Sequence, residues 1–449
     1  MYIKMSSKSN SSGVKKASLF FVGLSLLQPL RVALNAAVFS IRRFEINEYF
    51  LSTYVNKIHN SMELACFLGV LLMNIYVLIG IPGTDAVAVA VNWLTCVMNL
   101  LLLYSYTMDG YSGNLSVFYW VLVFSALAYG LNQICVFKYA GKDVPFFIAA
   151  IPVSGILVSI YHFVFLHFFE GKGIDIDYWI VIGQIGIGAV ISIVSSILWS
   201  IAFGQADCPA ISTTTTTGEN GKNESFGAIK NAISPMLMCA VGLGLVYAVY
   251  PGIAPYQLVV VEHAHKIDMI VMILCAFPAA IICLISELTT GGPNQKWEGG
   301  IAFWHFTWVF AIIYVMCPVL FLISLHYKTS AISRAIIGRP VVAGILTVTF
   351  VFCQSVLITI GFSGVDANSN GKVAAFNTLL ALLIMNIFEF LGDGYVTAYR
   401  SYSRKEWPTD GLSNYDAVLF WLSRASINAV SSVKSSFALD IRSQFADPM

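Results

Sequence analysis

The residues best placed to do chemistry lie in NTLLALLIMNIFEFLGD, residues 377–393, within an otherwise apolar window near the end of the hydrophobic body. On a helix, Asn386, Glu389 and Asp393 fall at i, i+3 and i+7 and share one face. A carboxylate at the bilayer centre costs about 2.5–3.5 kcal/mol on insertion scales, so it faces a bundle interior or a wet cavity rather than lipid. That face therefore predicts a polar pathway. The alternative puts Asp393 near the membrane surface and lets Glu389 snorkel or pair with another helix.

A buried cation must be answered as well. Arg31, four residues before Asn35 in the first apolar segment, demands a carboxylate or several carbonyls. Glu389 and Asp393 are the interior carboxylates the pattern offers it, so Arg31 and Glu389 are expected to form an ion pair or gate. Asn132, Gln133, His162, Gln184 and Gln354 add polar groups inside apolar windows. Such groups bind a polar solute in a cavity lined by aromatics, or join helices at roughly 0.6 kcal/mol each. Burial of Glu389 would also favour its neutral form and offer a route for proton coupling.

The expected site residues for a solute are thus Arg31, Asn132, Gln133, Glu389 and Asp393, with no catalytic residue, metal or cofactor. No phosphate-cradling glycine loop, nucleophile elbow or HExxH occurs, so soluble-enzyme chemistry and an ATP-driven motor find no support. His263 and His265 after Glu262 suggest a metal clip but lack a further ligand. Asp366, Asn368, Asn370 and Gly371 open like a calcium loop, yet Asn377 stands where the bidentate Glu belongs, and a polar turn is the better reading.

The elements that carry these residues are membrane helices. The chain is 57% hydrophobic and 11% charged, with a mean hydropathy of +0.76, far from the roughly 25% charged content of soluble domains. Its formal charge of +1 leaves no footprint for nucleic acid. Eight of the nine cysteines stand in apolar windows and Cys208 in a polar loop, so no disulfide framework is implied. A first segment at 17–39 reads as a membrane helix rather than a cleaved signal. Windows without charge follow at 64–84, 86–108, 110–137, 144–169, 178–206, 231–261, 269–286, 299–327 and 340–365, and 373–399 is broken only by Glu389 and Asp393. Each approaches the roughly 20 residues of a spanning helix and lacks the alternation of a membrane barrel strand.

The expectation is an all-α integral membrane protein of about eleven helices in a 6+5, major-facilitator-like bundle. It divides into a polar tail at 1–16, six helices over 17–203, a polar low-complexity loop at 204–230, five helices over 231–399 and an amphipathic tail at 400–449. That tail is expected to lie on the membrane surface through Phe420, Trp421 and Leu422. Small residues at Gly188, Ser192 and Ser196 would let helices approach closely. With a cytoplasmic N-terminus, ten basic residues fall inside and fourteen outside, against the positive-inside rule. A miscounted crossing would most simply lie in the proline-containing window 231–261. Of the sequons at Asn10, Asn114 and Asn223, that orientation exposes only Asn114.

One run resembles a known family. ALAYGLNQICVFKYAGKDVPFFIAAIPVSGILVSI looks like the equilibrative nucleoside transporter signature, a helix-four glutamine followed by a short loop, a proline and a Ser-Gly pair, here Gln133, Pro145, Ser154 and Gly155. Tyr250-Pro251 stands where that family tends to have Phe-Pro, and Met385, Asn386, Glu389, Gly392 and Asp393 echo its F-N-x-x-D-x-x-G-R motif, displaced to the last helix. The chain is also similar to the expanded multi-spanning families of apicomplexan parasites. The resemblance implies facilitative transport of nucleosides, nucleobases or a similar small polar solute by alternating access, in a bilayer, with the plasma membrane as the expected location. The other reading is a non-transporting, receptor-like surface protein, for which polar residues from the two halves need not converge.

Overall fold

The structure is a computed structural model that describes residues 2–79, 84–108, 113–204, 219–402 and 407–445. The side chains of Asn10, Asn223 and His265, and Cys208 as a whole, lie outside what it describes. Its α-helices are α1 (Tyr2–Leu26), α2 (Gln28–Asn35), α3 (Ala37–Arg43), α4 (Leu51–Ile79), α5 (Thr84–Thr107), α6 (Leu115–Ala140), α7 (Val144–Phe169) and α8 (Ile176–Phe203). The second half supplies α9 (Glu219–Gly244), α10 (Val246–Val249), α11 (Val261–Leu274), α12 (Ala276–Leu288), α13 (Trp308–His326), α14 (Ala331–Ile336), α15 (Pro340–Asn368), α16 (Gly371–Ser401) and α17 (Asn414–Ser435). No strand occurs among the described residues.

Among the described residues, ten helical stretches are long and apolar enough to cross a membrane. One of them, Leu115–Phe169, has 55 residues and would run about 80 Å as a single helix, against a hydrocarbon core of about 30 Å. It turns at Gly141, whose φ of +54° is a conformation that glycine adopts without strain, and so holds two helices, α6 and α7. Eleven crossings result among the described residues. Window 231–261 contributes a single one, because its second part, residues 250–260, forms turns around Pro251 and Pro255 rather than a further helix. Large apolar side chains such as Leu72, Ile160, Phe163 and Ile312 point outward, as a lipid-facing surface requires. The protein is a multi-pass integral membrane protein whose environment is the bilayer.

Side-chain contacts sort the helix ends onto two faces. One carries Lys15 against Asp143 at 3.4 Å, Lys16 against Glu287, and Asn294 donating to the Lys142 carbonyl at 3.2 Å. The other carries Arg42 against Glu48 and Asp177 at 3.0 and 3.5 Å, and Arg442 donating to the Phe44 carbonyl at 3.1 Å. Two apolar cores fill the interior. The larger runs through α1–α8 and takes in parts of α9, α15 and α16; the smaller joins α9 to α15 and ends at Val396.

Several boundaries differ from the charge-free windows. α1 starts at Tyr2, ahead of the polar tail's expected end, and α9 starts at Glu219, inside the expected loop. α4 begins at Leu51 instead of residue 64 and draws Lys57, His59 and Glu63 into the helix. The calcium-like run is a capping turn: Asn370 accepts from the Val373 amide at 3.0 Å and Asn368 from the Trp297 amide at 2.9 Å. Asn114 likewise caps α6 through the Val117 amide.

The tail is a docked helix rather than a surface raft. α17 lies along the end of α16, with Trp421, Ala425 and Ala429 buried and Trp421 among Tyr395, Tyr399 and Trp407. Phe420 packs beside Trp421, and Leu422 stays exposed. Asp393 accepts from Ser432 at 2.6 Å and from Asn56 at 3.2 Å, so it ties α17 and α4 to α16. Hydrogen bonds to charged groups contribute about 1.5–3 kcal/mol. Ser432→Ala is therefore expected to loosen α17 by about that amount, read as faster limited proteolysis of the tail with the membrane body intact.

Candidate functional site

Three interruptions aim polar groups at the centre of the bundle. Proline cannot donate a backbone hydrogen bond and clashes with the preceding turn, so Pro29 ends α1 at Leu26 and restarts the chain as α2. At the break the Leu24 carbonyl accepts from Gln28 Nε2 at 3.0 Å. Pro278 separates α11 from α12 in the same way, and Ser355 Oγ donates to the Cys275 carbonyl at 2.8 Å. Pro251 and Pro255 hold residues 250–260 out of helix. All three breaks border one interior cavity of about 220 Å³, room for more than a dozen waters at about 10–15 Å³ each, which is too large for a packing defect.

Both halves of the chain supply its walls. Arg31 and Asn35 come from α2, Gln133 from α6, and Pro152 from α7; Tyr247, Tyr250, Tyr256, Asp268 and Gln354 come from the second half. Arg31 is half-buried and lines this space. Its Nε reaches Ser154 Oγ at 3.5 Å, and its guanidinium carbon lies 3.3 Å from where a Cβ on Gly155 would sit. Opposite, Tyr256 donates to Asp268 Oδ2 at 2.6 Å, while Asp268 Oδ1 and Gln133 Oε1 have no hydrogen-bond partner. Of the resemblance-bearing residues, Gln133, Tyr250, Pro251 and Met385 line this cavity and Ser154 and Gly155 abut it through Arg31, whereas Pro145, Asn386, Glu389, Gly392 and Asp393 do not line it.

The expected Arg31–Glu389 pair does not form. Glu389 Oε1 lies 2.7 Å from His59 Nδ1, and His59 Nε2 lies 3.9 Å from Glu63 Oε1. These three side chains are each at most 6% exposed and join α4 to α16, with the Tyr247 ring 4.4 Å from the imidazole. Glu389 thus pairs with another helix, the alternative the sequence left open. Of the five expected site residues, Arg31 and Gln133 line the cavity, whereas Asn132, Glu389 and Asp393 stand outside it. Asn132 bonds Thr95 at 3.4 Å and joins α5 to α6; His162 and Gln184, 2.7 Å apart, join α7 to α8. Asn386 is buried and bonds the Leu382 carbonyl of its own helix. Glu389 and Asp393 are not the only interior carboxylates, since Glu63 and Asp268 are buried too and line the cavity. One signal for the missed group was available: His59 and Glu63 are i, i+4 on a helix that could have been extended back from residue 64.

Solved transporters share this fold. A major facilitator superfamily proton:xylose symporter, XylE, bound to 6-bromo-6-deoxy-D-glucose, superposes with a TM-score of 0.56 at 12% identity over 95% of this chain and 96% of its own. The POT family transporter PepTSo gives 0.55 at 11% over 98% and 99%, and a D-xylose-proton symporter 0.54 at 10% over 96% and 99%. At such identities the likeness establishes the fold alone: an all-helical, major-facilitator-like bundle. No family model matches the chain, and no curated protein does. The nucleoside-transporter resemblance therefore rests on the quoted residues.

Proposed function

We propose that this protein is a facilitative transporter of a small polar solute, nucleosides and nucleobases among them, working by rocking of a first six-helix bundle (17–203) against a second of five (231–399) around the central cavity. The observation that carries the reading is the convergence of polar side chains from both halves, Arg31, Asn35 and Gln133 facing Tyr256, Asp268 and Gln354 in one space. A receptor-like scaffold has no need of that convergence. Interrupted helices at a midplane site are what alternating access uses, and two of the structural neighbours, XylE and the D-xylose-proton symporter, are proton symporters of xylose. The plasma membrane is the proposed location.

The ion pair Lys16–Glu287 joins α1 to the end of α12 and so holds the two bundles together on one face, while Lys15–Asp143 ties α1 to the turn before α7 inside the first bundle. Glu389, His59 and Glu63 join α4 of the first bundle to α16 of the second and are the proposed proton-responsive group, with the Tyr247 ring beside the imidazole. The test is uptake of radiolabelled adenosine, inosine and hypoxanthine in cells lacking their own purine carriers, wild type against Glu389→Gln at matched surface expression. Uptake is expected in wild type, several-fold lower in the variant, and dependent on external pH. Uptake with a flat pH response would remove proton coupling; uptake of none of them would remove the nucleoside assignment.

A further inference from the structure

Two opposite charges face the cavity without meeting each other. Among the described residues, Arg31 has no carboxylate within ion-pair distance, and its side-chain bond is the long one to Ser154. Asp268 likewise has no basic partner among the described residues, and its Oδ1 accepts no hydrogen bond from them. Glu63, the other acid on the wall, is already engaged with His59. The two charges belong to different halves of the chain and line the same cavity. Met272 Cβ and the Arg31 guanidinium carbon fall 3.4 and 3.3 Å from the same point, the place of a Cβ on Gly155. Asp268 precedes Met272 by four residues in α11, one turn along the same face.

A guanidinium in a low-dielectric interior is strongly unfavourable without a counter-charge, and its planar fork matches a carboxylate's two oxygens. A carboxylate with a free oxygen calls for a donor, best a cationic one. A neutral nucleoside would leave both charges uncompensated, and a simple anion would answer only Arg31.

We propose that the cavity takes a zwitterionic solute, an amino acid or short peptide, with its carboxylate on Arg31 and its ammonium on Asp268. This rests on the reading of the cavity as the transport site and narrows its substrate. Such a solute adds no net charge to the interior and bridges α2 to α11, so it binds best when the two halves close on it, the differential affinity that a conformational change requires.

The experiment uses the purified full-length protein. Thermal stabilisation is measured with each of the twenty amino acids and dialanine, then with the N-acetyl and the amide derivative of the best ligand, and with inosine; a ligand that binds the folded state raises the melting temperature with concentration. Proteoliposome uptake of the same compounds follows. Stabilisation by free amino acids or dialanine, lost when either the carboxylate or the ammonium is blocked, is the expected result. Arg31→Gln and Asp268→Asn should each weaken it about 10- to 100-fold, the size of a lost charge-assisted hydrogen bond, and Arg31→Lys should retain part of it. The blocked derivatives test the pairing on wild-type protein, so a variant that fails to fold does not remove the test. Equal stabilisation by an N-acetyl derivative overturns the Asp268 role and with it the proposal. Stabilisation or uptake of inosine without any amino acid also overturns it and leaves transport standing. Stabilisation by amino acids without uptake upholds the ligand class and removes the transport reading. No stabilisation by any compound overturns the proposal.

Discussion

Replacing His59 by leucine is expected to destabilise the membrane bundle by about 3–5 kcal/mol, the cost of removing one partner from a buried ion pair. The imidazole stands between Glu389 at 2.7 Å and Glu63 at 3.9 Å, and all three are almost fully enclosed between α4 and α16. Leucine fills a similar volume, so the loss is electrostatic rather than a cavity effect: two buried carboxylates, Glu389 between the helices and Glu63 at the cavity wall, lose the imidazole that stands between them. The same logic fixes a rescue. Adding Glu389→Gln and Glu63→Gln to His59→Leu removes the stranded charges and should recover a large part of the loss, because a buried pair exchanged for neutral groups of like size is close to neutral in stability. Thermal unfolding followed with a thiol-reactive fluorophore suits this chain, since its eight described cysteines are free and buried. A His59→Leu protein as stable as wild type would show that the cluster compensates no charge.

His59 also marks the limit of what the sequence disclosed. Charges served as punctuation between spans, a rule that places a charge near the edge of an apolar window outside the membrane by construction. It found eleven crossings because most helices do end near a charge. It failed where a helix carries its charges inward: α4 starts well before residue 64, and Asp268 sits inside α11 just ahead of the window that opened at 269. Glu63 and Asp268, the two acids of the cavity wall, were lost for that reason. Glu389 and Asp393 stood out because they interrupt an apolar run, but their partners are set by tertiary packing, and they turned toward His59 and Ser432 instead of Arg31. Part of the quoted family pattern fared differently, although Pro145, Asn386, Glu389, Gly392 and Asp393 from it do not line the cavity. Gln133, Ser154 and Gly155 have types that backbone approach and polar lining demand together, and all three lie at the cavity.

Close helix approach was expected at Gly188, and the structure gives it a tighter form elsewhere. A Cβ on Gly188 would meet the Gln28 side chain at 3.1 Å, which can yield. A Cβ on Gly130 in α6 would sit 2.0 Å from the Cys66 carbonyl oxygen, and one on Gly69 in α4 would sit 2.3 Å from the Leu127 carbonyl oxygen. Backbone meets backbone there from both sides, so no side chain can rotate away. Gly130→Val is therefore expected to exceed the 1–3 kcal/mol typical of overpacking and to prevent α4 from seating on α6, read as loss of monodisperse protein after solubilisation. Gly186→Val in α8 is the control, since nothing lies within 4 Å of its Cβ, and it should fold as wild type does. The site explains why the contact is so close. α4 meets α6 through Gly69 and Gly130 and carries His59 and Glu63 toward α16, so its position sets both the buried charge cluster and one wall of the cavity. A variant that moves α4 away from α6 should therefore lose solute binding along with stability, whereas His59→Leu with its glutamine partners should restore stability without restoring any response of transport to pH.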